Sequence, residues 1–309
     1  MTGATIDCAV IGGGPAGLTA ALYLARFHLS VVLVHAGDSR AALIPRTRNV
    51  PGFPGGIAGT TLLRRMARQA SDYGARLIAA EATGLVRAGD LFRLTTSAGP
   101  LTARSVLLAT GVFNHRPAIG ARDHRVALRR GLLRYCPICD GYEVTDRRIG
   151  VIGSGAHGAR EALFLRGFTA DVTLIAPDAP HDLSPDARAA LERAGVALVD
   201  GPCGRLALEG ERIALDTAAG RLAFASIYPA LGSTIRSELA RGLAAKMSQD
   251  GCLLVDAHQR TSVAGLYAAG DVVKGLDQIS HAMGEGGVAA TTMRNDLAAR
   301  VPLLRGPPR

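Results

Sequence analysis

Two glycine-rich turns, each set between an apolar strand-like run and a helix-like stretch, restrict the fold of this chain more than anything else in it. The first follows Ile6-Asp7-Cys8-Ala9-Val10-Ile11, reads Gly12-Gly13-Gly14-Pro15-Ala16-Gly17, and leads into Leu18 to Phe27 with no helix breaker. In a G-x-G-x-x-G turn the first glycine permits the bend, the second lets a pyrophosphate reach the backbone, and the third lets helix pack on strand. Gly12, Gly14 and Gly17 fill those places. Free N–H groups and the macrodipole at the helix start favour phosphate there. The second turn, Gly153-Ser154-Gly155-Ala156-His157-Gly158, lies between the run Arg148 to Ile152 and a helical stretch from Ala159 to Arg166. The expectation is an α/β protein with two dinucleotide-binding units.

Between the turns lies Tyr135-Cys136-Pro137-Ile138-Cys139-Asp140-Gly141. The C-x-x-C spacing puts both sulfurs on one side of a first helical turn, with Pro137 suited to the first helical position. A thiolate at a helix N-terminus is stabilised and becomes a competent nucleophile. The chain has five cysteines, too few for a disulfide scaffold, and this is the one closely spaced pair. Near a βαβ pattern such a pair reads as redox-active. Zinc would need two further ligands, and His124 and His157 lack ligand-like spacing. Cys8 and Cys252 sit in apolar strand-like runs and read as small buried hydrophobes, while Cys203 lies in a Gly-Pro turn.

The 309 residues are 48% hydrophobic, enough for two cores. A formal charge of +9 raises nucleic acid as a partner, yet the arginines are scattered, Lys246 and Lys274 are the only lysines, and no stacking aromatics are interleaved. Nucleic-acid binding is not expected; a basic rim steering an acidic protein partner fits better. No apolar run approaches the ~18–20 residues of a membrane span. A strand-like run begins within a few residues of Met1, leaving no room for a signal peptide, so a cytoplasmic protein is expected.

Along the rest of the chain, Ser30 to His35 reads as the second strand. Its end is where a dinucleotide site offers a side chain to ribose hydroxyls; His35 is either that group or a surface residue. Residues 46–59 are a Pro/Gly loop long enough to be functional, 62–73 a helix, and 76–108 a β-rich stretch. In the second half, 171–176 is a strand, Ser184 caps a helix that Pro185 opens, and 253–256 and 266–272 are strand-rich. A closing helix is expected over 287–300, then a Pro-rich tail from Pro302.

Taken together these features resemble the low-molecular-weight thioredoxin reductase family. The resemblance rests on the turn at Gly12, on Asn49 with Pro51-Gly52-Phe53-Pro54, on Ala109-Thr110-Gly111, and on Cys136 to Gly141. The turn at Gly153, Ala268-Ala269-Gly270-Asp271, Gln278 and Gly284-Glu285-Gly286 complete it, in order and over nearly the whole chain. It implies two Rossmann-like (three-layer ββα) nucleotide-binding domains, with a discontinuous FAD-binding domain of residues 1–117 and 233–309. An inserted NAD(P)-binding-like domain of residues 118–232 then carries the cysteines. It implies FAD held by Gly12, Gly14, Pro15, Ala16, Gly17, His35, Asn49, Thr110, Gly111, Gly270, Asp271, Gln278 and Ile279, and a homodimer. It also implies that Cys139 faces the flavin, that Cys136 attacks the substrate disulfide, and that Asp140 serves as acid and base for the thiols.

One region departs from the pattern. The 2′-phosphate of NADPH calls for arginines after the second strand of the inserted domain, where this chain has Asp178 and Asp182 and no arginine before Arg188. His157 adds a ring to the turn of Gly153, Gly155 and Gly158. NADPH is therefore expected to be a poor donor; NADH, ferredoxin or another carrier are alternatives. The same parts could instead act as a dithiol oxidase, passing electrons from a small-molecule dithiol to oxygen, with His281 as a base unless it is only a helix-face histidine. A non-enzymatic redox sensor is a third class.

Overall fold

The computed structural model describes residues 5–304, so most of the Pro-rich tail lies outside the described residues. The chain opens with β1 (Ile6–Ile11), α1 (Pro15–Arg26) and β2 (Val31–His35), then α2 (Gly59–Asp72) and β3 (Arg76–Ala79). Strands β4 (Ala82–Ala88), β5 (Leu91–Thr96) and β6 (Leu101–Leu108) follow, and β7 (Val112–Asn114) leads on. Next come α3 (Ala121–Arg130), α4 (Pro137–Asp140), β8 (Ile149–Ile152), α5 (Gly155–Leu165), β9 (Val172–Ile175), α6 (Pro185–Arg193) and β10 (Ala197–Val199). A meander of β11 (Ala207–Glu209), β12 (Arg212–Thr217) and β13 (Gly220–Phe224) precedes β14 (Ser226–Pro229) and β15 (Ser233–Ile235). The chain ends through α7 (Glu238–Arg241), β16 (Leu266–Ala268) and α8 (Ile279–Ala298).

These elements form two compact units, residues 1–43, 58–113 and 235–309, and residues 44–57 and 114–234. The chain passes from one to the other within β7 and returns within β15, strands that pair with each other. Segment 44–57, which the sequence division counted with residues 1–117, groups with the second unit: Thr47 bridges to Ile57, and Arg48 pairs with Glu143.

In the first unit the sheet order is β3-β2-β1-β6, all parallel, with β5 and β4 added antiparallel. Strand β6 changes neighbour along its length. Residues 101–103 pair with β5, and Val106 to Leu108 pair with β16. Alternate residues serve the two faces, as a pleated strand requires. Cys8 and Val10 join a core with α1 and α8, while Ala9 and Ile11 join a second core on the opposite face. Both faces of a parallel sheet are thus covered.

The second unit repeats the plan with a parallel sheet of order β10-β9-β8-β14. Ile149 and Val151 face one core, Ile152 the other. Ser184 caps α6 as expected, its hydroxyl accepting from the Ala187 N–H at 3.2 Å.

Three expectations change. The final helix starts at Ile279, not at residue 287, because the glycines at 284, 286 and 287 are accommodated inside it. A Cβ on Gly286 would stand 2.3 Å from the Ala16 carbonyl oxygen, so glycine there lets α8 lie against α1. Residues 253–256 form isolated bridges through Leu253 rather than a strand. Cys252 is only half-buried in a loop, whereas Cys8 is fully buried.

Candidate active site

In the first unit, β1 ends at a turn built for close approach. Gly12 has φ +121°, a conformation that L side chains rarely adopt. A Cβ on it would meet the Ala109 carbonyl oxygen at 2.0 Å, and one on Gly17 would meet the Gly12 carbonyl oxygen at 2.0 Å. Gly14 instead has nothing nearer than Ser39 Oγ, at 3.5 Å from its would-be Cβ, which leaves its outer side open. Gly14 N-caps α1 with no side chain taking the free N–H groups, Pro15 and Ala16 open the helix, and no acidic residue lies in the first turn. His35, at the end of β2, lies against the turn: a Cβ on Gly13 would come within 2.9 Å of the His35 Cβ.

Of the other sequence-selected residues of this unit, Thr110 and Gly111 follow β6, and Gly270 and Asp271 follow β16. Thr110 donates its hydroxyl to the Arg236 carbonyl at 2.5 Å, and the Arg236 N–H returns to the Gly111 carbonyl at 3.0 Å. Gly270 follows β16 and packs on Ala16, its N–H donating to Glu285 Oε2 at 2.6 Å. Asp271 is largely buried and receives Arg40 Nη1 at 3.2 Å; the same nitrogen donates to Asp277 at 2.8 Å. Burial pushes the Asp271 carboxyl above the usual range, Asp277 adds to this, and Arg40 opposes it. Gln278 and Ile279 begin α8, followed by His281. His281 is 43% exposed and its Nε2 lies 3.0 Å from Glu285 Oε1 one turn on.

The cysteines lie in the second unit. Cys136 and Cys139 form a disulfide, with Cys136 as N-cap of the four-residue α4 and Pro137 at its first position. The Cys139 N–H points at Cys136 Sγ, 3.2 Å away. Asp140 ends this helix, receiving Arg134 Nη1 at 2.8 Å and the Tyr228 hydroxyl at 3.0 Å. Burial raises the Asp140 carboxyl pKa, Arg134 and Tyr228 oppose the rise, and Glu143 adds to it. Asn49 belongs to the segment grouped with this unit, its Oδ1 accepting from the Thr47 hydroxyl at 2.8 Å.

The second glycine turn keeps its packing, since a Cβ on Gly158 would meet Gly153 C at 2.8 Å. Its rim differs from the first. The Asp182 N–H donates to Ser154 Oγ at 2.9 Å, and buried His181 places Nδ1 3.4 Å from the same oxygen. The Asp182 carbonyl oxygen lies 3.5 Å from a Cβ built on Gly155. His157 points outward on α5 to Glu161, 3.4 Å away, and burial with Arg160 holds its pKa below the usual value.

The sequence matches the Pyridine nucleotide-disulphide oxidoreductase family over residues 6–286. The chain belongs to that family. Within it, a thioredoxin reductase of Streptomyces coelicolor is 34% identical over 281 residues, 85% of this chain and 85% of the relative. The crystal structure of HlmI superposes with a TM-score of 0.86 at 32% identity, covering 96% of this chain and 93% of that one. Thioredoxin reductase from Streptococcus pyogenes gives a TM-score of 0.88 at 25% identity, covering 96% and 99%. This is a thioredoxin reductase-like flavoprotein disulfide oxidoreductase, of a family that depends on FAD.

The first unit fits a flavin dinucleotide: an open glycine turn, an uncapped helix N-terminus and a buried carboxylate after β16 are the features such a ligand needs. After β9 the sequence carries Asp178 and Asp182 and no arginine before Arg188. Sequence reading missed Arg40, Arg134 and Tyr228. The first and last reach partners 231 and 88 residues away, which no local pattern reveals; Arg134, six residues from Asp140, was open to inspection.

Proposed function

We propose that the first unit is the flavin-binding domain and that electrons pass between the flavin and Cys136–Cys139, then to a disulfide on a protein or small molecule. The observation that carries this is the disulfide across the first turn of α4 in a chain of this family. The bound flavin supplies two-electron exchange with the dithiol. In the reduced pair, the Cys136 thiolate attacks the substrate disulfide, forming a mixed disulfide and releasing one thiolate. Cys139 then attacks Cys136 Sγ, restores the internal disulfide and releases the second thiol. Ile138 and Tyr142, 53% and 81% exposed, flank the pair with apolar surface for such a substrate.

NADPH is a poor donor in this reading. Asp178 and Asp182 stand where the phosphate would need cations, and like charges there repel it. Ser154, in the middle of the glycine turn, is already engaged by residues 181 and 182. A net charge of +9 favours an acidic electron carrier such as ferredoxin. A homodimer fits the exposed, mutually packed Tyr23 and Phe27 on α1 and the exposed Tyr73, against which Arg26 of the same helix lies.

Anaerobic titration of the yellow protein tests the reading. Dithiothreitol bleaches the flavin and NADPH does not; serine at Cys136 and Cys139 keeps the flavin but ends disulfide turnover. Rapid bleaching by NADPH overturns the donor assignment, and retained turnover in the double serine variant overturns the dithiol one. The His281–Glu285 pair favours a second reading, a dithiol oxidase in which His281 takes the thiol proton and oxygen accepts the electrons. Oxygen consumption with a small dithiol, lost in His281→Ala, distinguishes it.

A further inference from the structure

Asp140 is fastened through both carboxylate oxygens by two residues that lie outside the cysteine motif. Arg134 Nη1 holds Oδ2 at 2.8 Å, and the Tyr228 hydroxyl lies 3.0 Å from Oδ1 and 3.2 Å from the Asp140 carbonyl oxygen. Both holders are themselves fixed. Tyr228 is fully buried on β14, in the middle of a run paired with β8. The Arg134 N–H donates to the Ile227 carbonyl on that strand at 3.0 Å, and its Nε donates to the Gly131 carbonyl at 3.1 Å. The parallel sheet therefore sets where the end of the dithiol helix lies.

We propose that Arg134 and Tyr228 are positioning residues for the dithiol reaction: they clamp the Asp140 carboxyl to β14 and set the pH at which it can deliver a proton to the departing substrate thiolate. This rests on the dithiol reading above. In the step concerned, the Cys136 thiolate forms a bond to one sulfur of the substrate and the substrate S–S bond breaks. The Asp140 carboxyl, which has taken the Cys136 proton, gives it to the leaving thiolate; Cys139 then attacks Cys136 Sγ, closes the internal disulfide, and its proton passes to the second product thiol. The two protons lost by the dithiol are those gained by the two product thiols, and two electrons move with them.

Several charges bear on Asp140. Arg134 precedes α4, Tyr228 comes from β14, and Glu143 from the turn after α4, itself paired with Arg48 at 3.3 Å. Helix α5, packed on α4, carries the His157–Glu161 pair. Arg134 and Tyr228 favour the ionised carboxylate, and burial and Glu143 oppose it. Loss of Arg134 therefore keeps Asp140 protonated to higher pH. An adjacent opposite charge moves a carboxyl by about 1–3 pH units.

The test uses the flavin-loaded protein, reduced with dithiothreitol and desalted without oxygen, in single turnovers across pH. Bis-hydroxyethyl disulfide has a leaving thiolate that needs a proton, so its rate falls as Asp140 ionises. Dithionitrobenzoate releases a stable aromatic thiolate and has no such limb. Arg134→Gln moves the falling limb for the alkyl disulfide upward by at least about one pH unit, Arg134→Lys returns most of it, and Tyr228→Phe moves it the same way by less. A limb that stays in place in these variants, or that also appears with the aromatic disulfide, overturns the proposal. Should Arg134→Gln fail to fold, Tyr228→Phe and Arg134→Lys decide. A limb that survives in Asp140→Asn instead overturns the role of Asp140, and turnover in Cys136→Ser overturns the dithiol reading beneath it.

Discussion

Gly284 and Gly286, two residues apart on α8, give a paired test of how the glycine turn proposed to bind flavin is supported. Alanine in place of either one gains helix propensity of about 1 kcal/mol. At Gly284 nothing lies within 4 Å of the added carbon, so the gain stands alone. At Gly286 the added carbon would lie 2.3 Å from the Ala16 carbonyl oxygen and 3.1 Å from its carbonyl carbon. Ordinary contact begins near 3.5 Å, so α1 and α8 must part by roughly 1 Å. Overpacking of this kind costs about 1–3 kcal/mol, and the upper part of that range applies to a clash with rigid backbone, so after the propensity gain the net loss is up to about 2 kcal/mol. Each kcal/mol shifts the melting temperature of a domain of this size by about 2–4 °C. Ala16 belongs to the glycine turn, so moving it also moves the helix start at which the proposed flavin pyrophosphate would bind. Thermal unfolding of the flavin-loaded variants, with flavin content after gel filtration, reads both effects. Gly284→Ala melts higher with full flavin, and Gly286→Ala melts lower with less. Shifts of the same sign, or full flavin in Gly286→Ala at the wild-type melting temperature, refute the reasoning.

Two further outcomes follow from the ion pairs. Arg40→Ala leaves Asp271 and Asp277 facing each other with no cation between them, so flavin retention falls; equal flavin content in variant and wild type after desalting argues against it. Arg260 and Tyr267 bond Asp296 and hold its carboxyl below the usual range. Its folded pKa is thus depressed, so its contribution is present above about pH 3.9 and is lost as pH falls through the folded value. Asp296→Asn melts lower than wild type at pH 7, and the gap closes in acid; a gap of constant size down to pH 3 sinks that account.

The parts of this fold legible in the sequence are those written locally. Strand, glycine turn and helix follow one another at Ile6 to Arg26 and again at Ile149 to Leu165, because periodicity and the need for a bend lie within a short window. The start of α8 was hidden because glycines normally weaken a helix, and what keeps them is a carbonyl on α1 far away in the chain. Residues 253–256 have strand composition but find only single bridging partners. At the site, Cys136 and Cys139 announce themselves by spacing and Asp140 by the family resemblance, whereas the group that opposes burial of Asp271 is an arginine from another segment.

The change of partner along β6 has a consequence for synthesis. The end of that strand, Val106 to Leu108, waits for β16, and one side of α1 waits for α8, which is made far later than α1. The second unit has all its residues once position 234 is made, so the later part of the chain folds before the earlier part can finish. At roughly 5–20 residues per second, the first glycine turn spends on the order of tens of seconds on a helix with one bare apolar side. Truncation ahead of residue 279 makes that interval permanent.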